Sequence, residues 1–294
     1  METQFAEVEQ TPRFSRRFRI FGYLGVFLLS YTLFLVVTFP YDLLAQGILQ
    51  RFRSRIPVPI KAEKLSPSLP LGLEMSGVTI GPISADNPAT ISLDSLSINA
   101  SLIKALGKKF DASIKAKLDK GSASGNVKAS AIGLNANFRM NTMPLQPLLT
   151  ILKIPMRVTG EITGNGNLQL DNIKPEENNG NLHLTSSSLD APNVDLKIAR
   201  ADFHFENVEA NIDLKGPVLL IKNLNLQGTP CGFDITGTIT LNNSNLSESQ
   251  LNLELVFHPT PEFESQAPFA ALKKNEQGFY TGKLTGTISR PAFP

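Results

Sequence analysis

LLIKNLNLQGTPCGFDITGTITL, residues 219–241, decides how this chain folds. In its second half Phe233, Ile235 and Ile239 fall on alternate positions, with Asp and Thr between them. That period of two marks a strand with one apolar and one polar face, whereas a helix would repeat every three or four residues. The pattern continues on both sides. Downstream, LNLELVF alternates Leu251, Leu253, Leu255 and Phe257. Upstream come Val208, Ala210, Ile212 and Leu214, then Val194, Leu196 and Ile198, then Leu182 and Leu184, and Leu168 and Leu170.

From about residue 75 onward, roughly twelve to fourteen strands of this kind are expected, joined by turns such as ENNGN and LNNSN. In ISLDSLSINA the phase slips between Ile91/Leu93 and Leu96/Ile98, which predicts a β-bulge near Asp94–Ser95. Helical patterns are few, at SLIKALGKKF (101–110) and MPLQPLLTILKI (143–154). So few helices exclude a βαβ fold and predict a large, curved antiparallel sheet, groove-like or taco-like, with one face solvated and one apolar. Glycines recur at a spacing of four in GSASG (121–125), GEITG (160–164) and GKLTG (282–286). Glycine weakens a strand unless the strand bends or something approaches its backbone, so these spacings read as sheet curvature. GKLTGTISR is expected to be the last, edge strand, ended by Pro291.

Ahead of the sheet, residues 20–39, IFGYLGVFLLSYTLFLVVTF, carry no charge. Twenty helical residues span about 30 Å, the thickness of a bilayer core, and the run is too long and too poorly followed for a cleaved signal peptide. Arg13, Arg16, Arg17 and Arg19 abut the span on its N-terminal side and place that terminus in the cytoplasm. Arg51, Arg53 and Arg55 follow it at a greater distance. The expected layout is a cytoplasmic segment (1–19), a transmembrane helix (20–39), a juxtamembrane helix and linker (40–64), and an exported β-domain (65–294). The chain has 294 residues, a formal charge of +2 and no Trp, which gives no basis for nucleic-acid binding. Its single cysteine, Cys231, rules out an intrachain disulfide.

Reactive groups are sparse. His183, His204 and His258 are the only histidines. His204 and Glu206 share a strand face, but two such residues read as solvated polarity rather than a metal site. Cys231 has no histidine near it in sequence and reads as a small buried strand residue. No HExxH, GxSxG or phosphate-binding glycine loop occurs. The expectation is a non-enzyme with no cofactor and no metal.

FPYD (39–42), SLPLGLEMSGV (68–78) and the glycine-punctuated GKLTGTISRP terminus together resemble the type II secretion system protein N family. That resemblance implies a single-pass inner-membrane protein of Gram-negative bacteria. Its periplasmic β-domain would be a structural or assembly component of the machinery that exports folded proteins, in contact with other inner-membrane subunits. The stretch 219–241 also resembles AsmA-like proteins, which implies an alternative, lipid binding or transfer in an apolar β-groove. On either reading one apolar face is expected to carry Val194, Leu196, Ile212, Leu214, Phe233, Ile235, Leu253 and Leu255, as a closed core or as a groove.

Overall fold

The structure is a computed structural model. It describes Phe27, Ser30, 60–68, 72–81, 90–100, 110–130, 132–151, 156–195, 200–242, 245–266 and 272–293. The chain divides into two compact units, Met1–Gln46 and Gly47–Pro294. Of the first, only Phe27 and Ser30 are described, both helical and exposed. The rest of the 20–39 span, Arg13, Arg16, Arg17, Arg19 and residues 40–59 lie outside the described residues. No helix among the described residues is long and apolar enough to cross a membrane.

The second unit is one antiparallel sheet. Its first half comprises β1 (Ile60–Ser68), β2 (Gly72–Ile80), β3 (Ile91–Ala100), β4 (Phe110–Leu118), β5 (Gly121–Ala129), β6 (Gly133–Pro144), β7 (Thr159–Asp171) and β8 (Asn179–Ser186). The second comprises β9 (Leu189–Asp195), β10 (Arg200–Lys215), β11 (Val218–Thr229), β12 (Cys231–Thr240), β13 (Gln250–Pro259), β14 (Lys273–Lys274), β15 (Tyr280–Thr287) and β16 (Pro291–Ala292). Strands pair in chain order from β1 to β13, with β15 next. β8 and β9 are two stretches of one course, both lying between β7 and β10 and broken at Ser187–Ser188. No described pairing joins β1 to the last strands.

The helices are short. α1 (Leu145–Ile151) occupies the middle of the predicted 143–154 segment, because Met143 and Pro144 still belong to β6. Of the predicted helix 101–110, only Phe110 is described, and it opens β4. α2 (Pro261–Gln266) follows β13 directly.

Three expectations are corrected. First, β1 begins at Ile60, inside the stretch assigned to a linker. Second, the phase slip at Asp94 is not a bulge. The β2–β3 register is the same on both sides of it, with Met75 opposite Leu96 and Val78 opposite Leu93. Instead Gly77 of β2, at φ +57°, slips with Asp94, so the inward sets Leu73/Met75/Val78 and Ile91/Leu93/Ile98 all stay buried. The same slip reaches β1, where Ala62 faces Val78 and Lys64 faces Ser76. A shared slip changes the face of every strand together and keeps the register, at the loss of the pairs that Gly77 would make with Asp94 and Glu63.

Third, β15 is not a bare edge ended by Pro291. β14 pairs with it at Tyr280–Thr281, and β16, which contains Pro291, pairs at Thr285–Gly286. Two short strands thus cover both halves of the final edge, a common way of blocking further pairing. β1 pairs only with β2 among the described residues.

An apolar lane across the sheet

Inward-facing glycines sit where a large side chain must cross a strand. Gly228 of β11 lies opposite Phe205, and with no side chain there the Phe205 and Phe233 rings close to 6.0 Å across the intervening strand. Gly282 of β15 leaves room for the Phe293 ring, which a Cβ would meet at 2.5 Å. Of the glycines in the recurrent spacing, Gly282 therefore makes room for an inward ring.

These rings close one end of the sheet. Phe203, Phe205, Phe233, Phe257 and Phe263 are buried with Met143, Val158, Ile162 and Cys231. Phe203 is 5.5 Å from Phe233 and 6.2 Å, edge-on, from Phe263 of α2. Adjacent strands stand about 4.8 Å apart, so on a flat sheet β10 and β13 would be about 14 Å from each other. Contact between Phe203 and Phe263 therefore means that α2, which follows β13, lies across the inner face of β12 and β11 toward β10. α2 is also tied to the last strands, where the Tyr280 hydroxyl donates to Glu264 Oε1 and Lys274 Nζ lies 3.2 Å from the same oxygen. Those two contacts, the tyrosine's first, hold the Glu264 carboxyl below its usual range.

Beyond the aromatic end and the buried Ala210, Ile221 and Leu253, the inner face stays apolar but is only partly covered. Ladder pairing runs one inward row through Ala136, Leu168, Gly180, Leu214, Leu219, Ile239, Leu251 and Gly286, crossing β6, β7, β8, β10, β11, β12, β13 and β15. Every member of that row is half-buried. The eight residues singled out in sequence divide between these two regions. Phe233 and Leu253 are buried, and Val194, Ile235 and Leu255 pack against the aromatic cluster. Ile212 and Leu214 line the half-buried stretch, and Leu196 lies outside the described residues.

The histidines all stand in hydrogen-bonded pairs. His183 Nδ1 is 2.7 Å from Asn211 Oδ1, and His204 Nδ1 is 2.6 Å from Asp190 Oδ1. His258 Nε2 lies 2.7 Å from Asp234 Oδ2, while the Asn225 amide donates to the other Asp234 oxygen. Among the described residues no group of three His, Cys, Asp or Glu side chains stands close enough to hold a metal.

Cys231 is fully enclosed, and burial pushes its thiol up to about 12 from an ordinary value of 9.0. Native protein is therefore expected to resist iodoacetamide at pH 8 and to react fully once unfolded in guanidinium, read by intact mass; rapid native alkylation contradicts the burial. The linkage sign also follows. Between pH 9 and about 12 the unfolded thiol ionises while the folded one does not, so stability falls with rising pH in that window, by up to about 1.4 kcal/mol per unit from this group.

No protein-family model, no curated protein and no solved structure matches the chain.

Proposed function

We propose that the chain is a non-enzymatic component of the type II protein secretion machinery, anchored in the inner membrane by residues 20–39 with its β-domain in the periplasm. The observation that carries this reading is the asymmetry of the sheet borders. The β15 edge is covered twice, while β1, nine residues long, pairs only with β2 among the described residues. An unpaired edge of that length suits the addition of a partner's strand, with backbone hydrogen bonds supplying affinity. Two of the three segments that resemble the secretion family lie near these borders, SLPLGLEMSGV running into β2 and GKLTGTISRP into β15 and β16.

A second reading is favoured by the half-buried lane. An apolar row crossing eight strands next to a closed aromatic end fits an acyl chain, and it supports lipid binding or transfer in the envelope.

One in-cell experiment tests both. A photo-crosslinking amino acid is placed at Lys64 on β1, at Leu214 in the lane, and at outward-facing Asn252 as control. A secretion-subunit adduct from Lys64 is the expected result, and its absence overturns the first reading. A phospholipid or lipopolysaccharide adduct from Leu214 supports the second, which fails if Leu214 yields only intramolecular products.

A further inference from the structure

Two large apolar side chains stand at the rim of the sheet, at the end away from the aromatic cluster. β6 runs from Gly133 at that rim to Met143 in the cluster, and β7 runs back from Ile162 in the cluster to Asp171 at the rim. Ile132 lies just ahead of β6 and Ile173 just beyond β7, 61% and 69% exposed. The Asn172 N–H donates to the Ile132 carbonyl at 2.9 Å, so the two isoleucines sit on neighbouring turns. Among the described residues of the β-domain, the other exposed large apolar side chains are Met156 and Phe279, both at the aromatic end. Phe279 already packs on the His258 ring at 4.4 Å. The other described turns at the isoleucine rim expose Lys215, Pro217, Asn245, Glu248 and Arg290.

The isoleucines are continuous with the half-buried lane. Behind them Leu134 of β6 pairs with Leu170 of β7, and behind that pair Ala136 and Leu168 belong to the inward row. Leu134 and Leu170 are themselves half-buried. The turn that carries Ile173 is satisfied from within. Asp171 Oδ1 accepts from the N–H groups of Ile173 and Lys174 at 2.7 and 2.9 Å, and Asn178 Oδ1 accepts from the Asp171 N–H at 2.7 Å. With the N–H groups of Asp171 through Lys174 all bonded inside the protein, the turn can enter an apolar phase without stranding a donor.

Two side chains are far too few for a stable protein partner, whose interface takes about 20–30 residues a side. A bilayer needs only a few apolar side chains set about 5–10 Å into its headgroup boundary. Charge selects neither an anionic nor a cationic partner. Lys174 and Lys215 stand against Asp171, Glu176 and Glu177, and Lys174 pairs with Glu177 at 2.7 Å. We infer that Ile132 and Ile173 form a tip that inserts into a lipid bilayer and sets the rim end of the lane against it, an inference that rests on the lipid reading of the lane. The attraction is apolar, so headgroup charge and salt leave it unchanged.

Fluorescence quenching tests it on the full-length protein reconstituted in phosphatidylcholine vesicles. An environment-sensitive nitrobenzoxadiazole dye is attached in turn at Ile132→Cys, at Ile173→Cys and, on a polar turn of the same rim, at Asn245→Cys, with the buried Cys231 left unlabelled. Lipid carrying a nitroxide in its acyl chain is placed either in the protein's own vesicles or in added protein-free ones. The expected result is quenching at both isoleucine sites about twofold stronger than at Asn245, unchanged by salt or by anionic lipid. The arm that quenches identifies which membrane is touched. In the Ile173→Cys protein, adding Ile132→Ser should cut the quenching by about half with Tm unchanged, since that side chain is exposed. Quenching no stronger than at Asn245 in either arm, or quenching that salt abolishes, overturns the proposal. The Leu214 crosslink scores the lane separately. A lipid adduct there with both isoleucine sites unquenched overturns the tip and leaves the lane; quenching without the adduct keeps the tip and overturns the lane.

Discussion

Phe257→Ala is expected to destabilise the β-domain by about 3–5 kcal/mol, the range for deleting a buried phenylalanine. Phe257 is 2% exposed and joins three parts of the molecule. Its ring meets Phe233 of β12 at 5.5 Å and Phe293 of the C-terminal segment at 5.8 Å, and it stands opposite Tyr280 on β15. Removing it leaves a cavity in the aromatic end and takes away the ring on which Phe293 packs, so that β16 is held by its pairing with β15 alone. Against a total stability of about 5–15 kcal/mol for a typical domain, that is a large fraction. Guanidinium denaturation with an unchanged slope measures it. The control is Phe279→Ala, on the outer surface at 39% exposure, for which a change below about 1 kcal/mol is expected. A similarly small loss at Phe257 would mean that the aromatic end is loosely packed.

Gly237→Val should be as damaging for a different reason. Gly237 lies in β12 at φ +130°, a conformation that L side chains rarely adopt. A Cβ there would sit 2.3 Å from the Asn252 carbonyl oxygen and 2.9 Å from the Leu253 Cα, both backbone atoms of β13 that cannot turn aside. Strain of about 1–3 kcal/mol adds to overpacking of about 1–3 kcal/mol. Gly278→Ala separates the two, because Gly278 also has positive φ, at +85°, but nothing lies within 4 Å of its added Cβ. Thermal melts should show a clear drop for Gly278→Ala and a much deeper one for Gly237→Val. Equal drops would remove the collision from the account.

The alternation of 219–241 and its neighbours was enough to read the antiparallel sheet and its apolar face, because period two is a local property of each strand. What depends on register was not legible. The aromatic cluster joins Met143 to Phe293 through pairings that no local pattern encodes. β1 escaped because its inward set slips with Gly77 and Asp94, so IKAEKLSPS shows no steady alternation. β14 and β16, two residues each, are too short to have a period, and the covered edge they create reversed the expectation for GKLTGTISRP. The spaced glycines were read as bends; that Gly282 also makes room for a phenylalanine could emerge only once Phe293 was seen beside it.

Strand order in space follows strand order in sequence along nearly the whole sheet. Such a sheet is a ruler with interchangeable divisions. Gaining or losing one hairpin alters its width by about 10 Å, two strand spacings, while every remaining strand keeps its neighbours. Width can therefore change by simple duplication or deletion without rethreading the chain, as in repeat proteins whose units touch only the next in line.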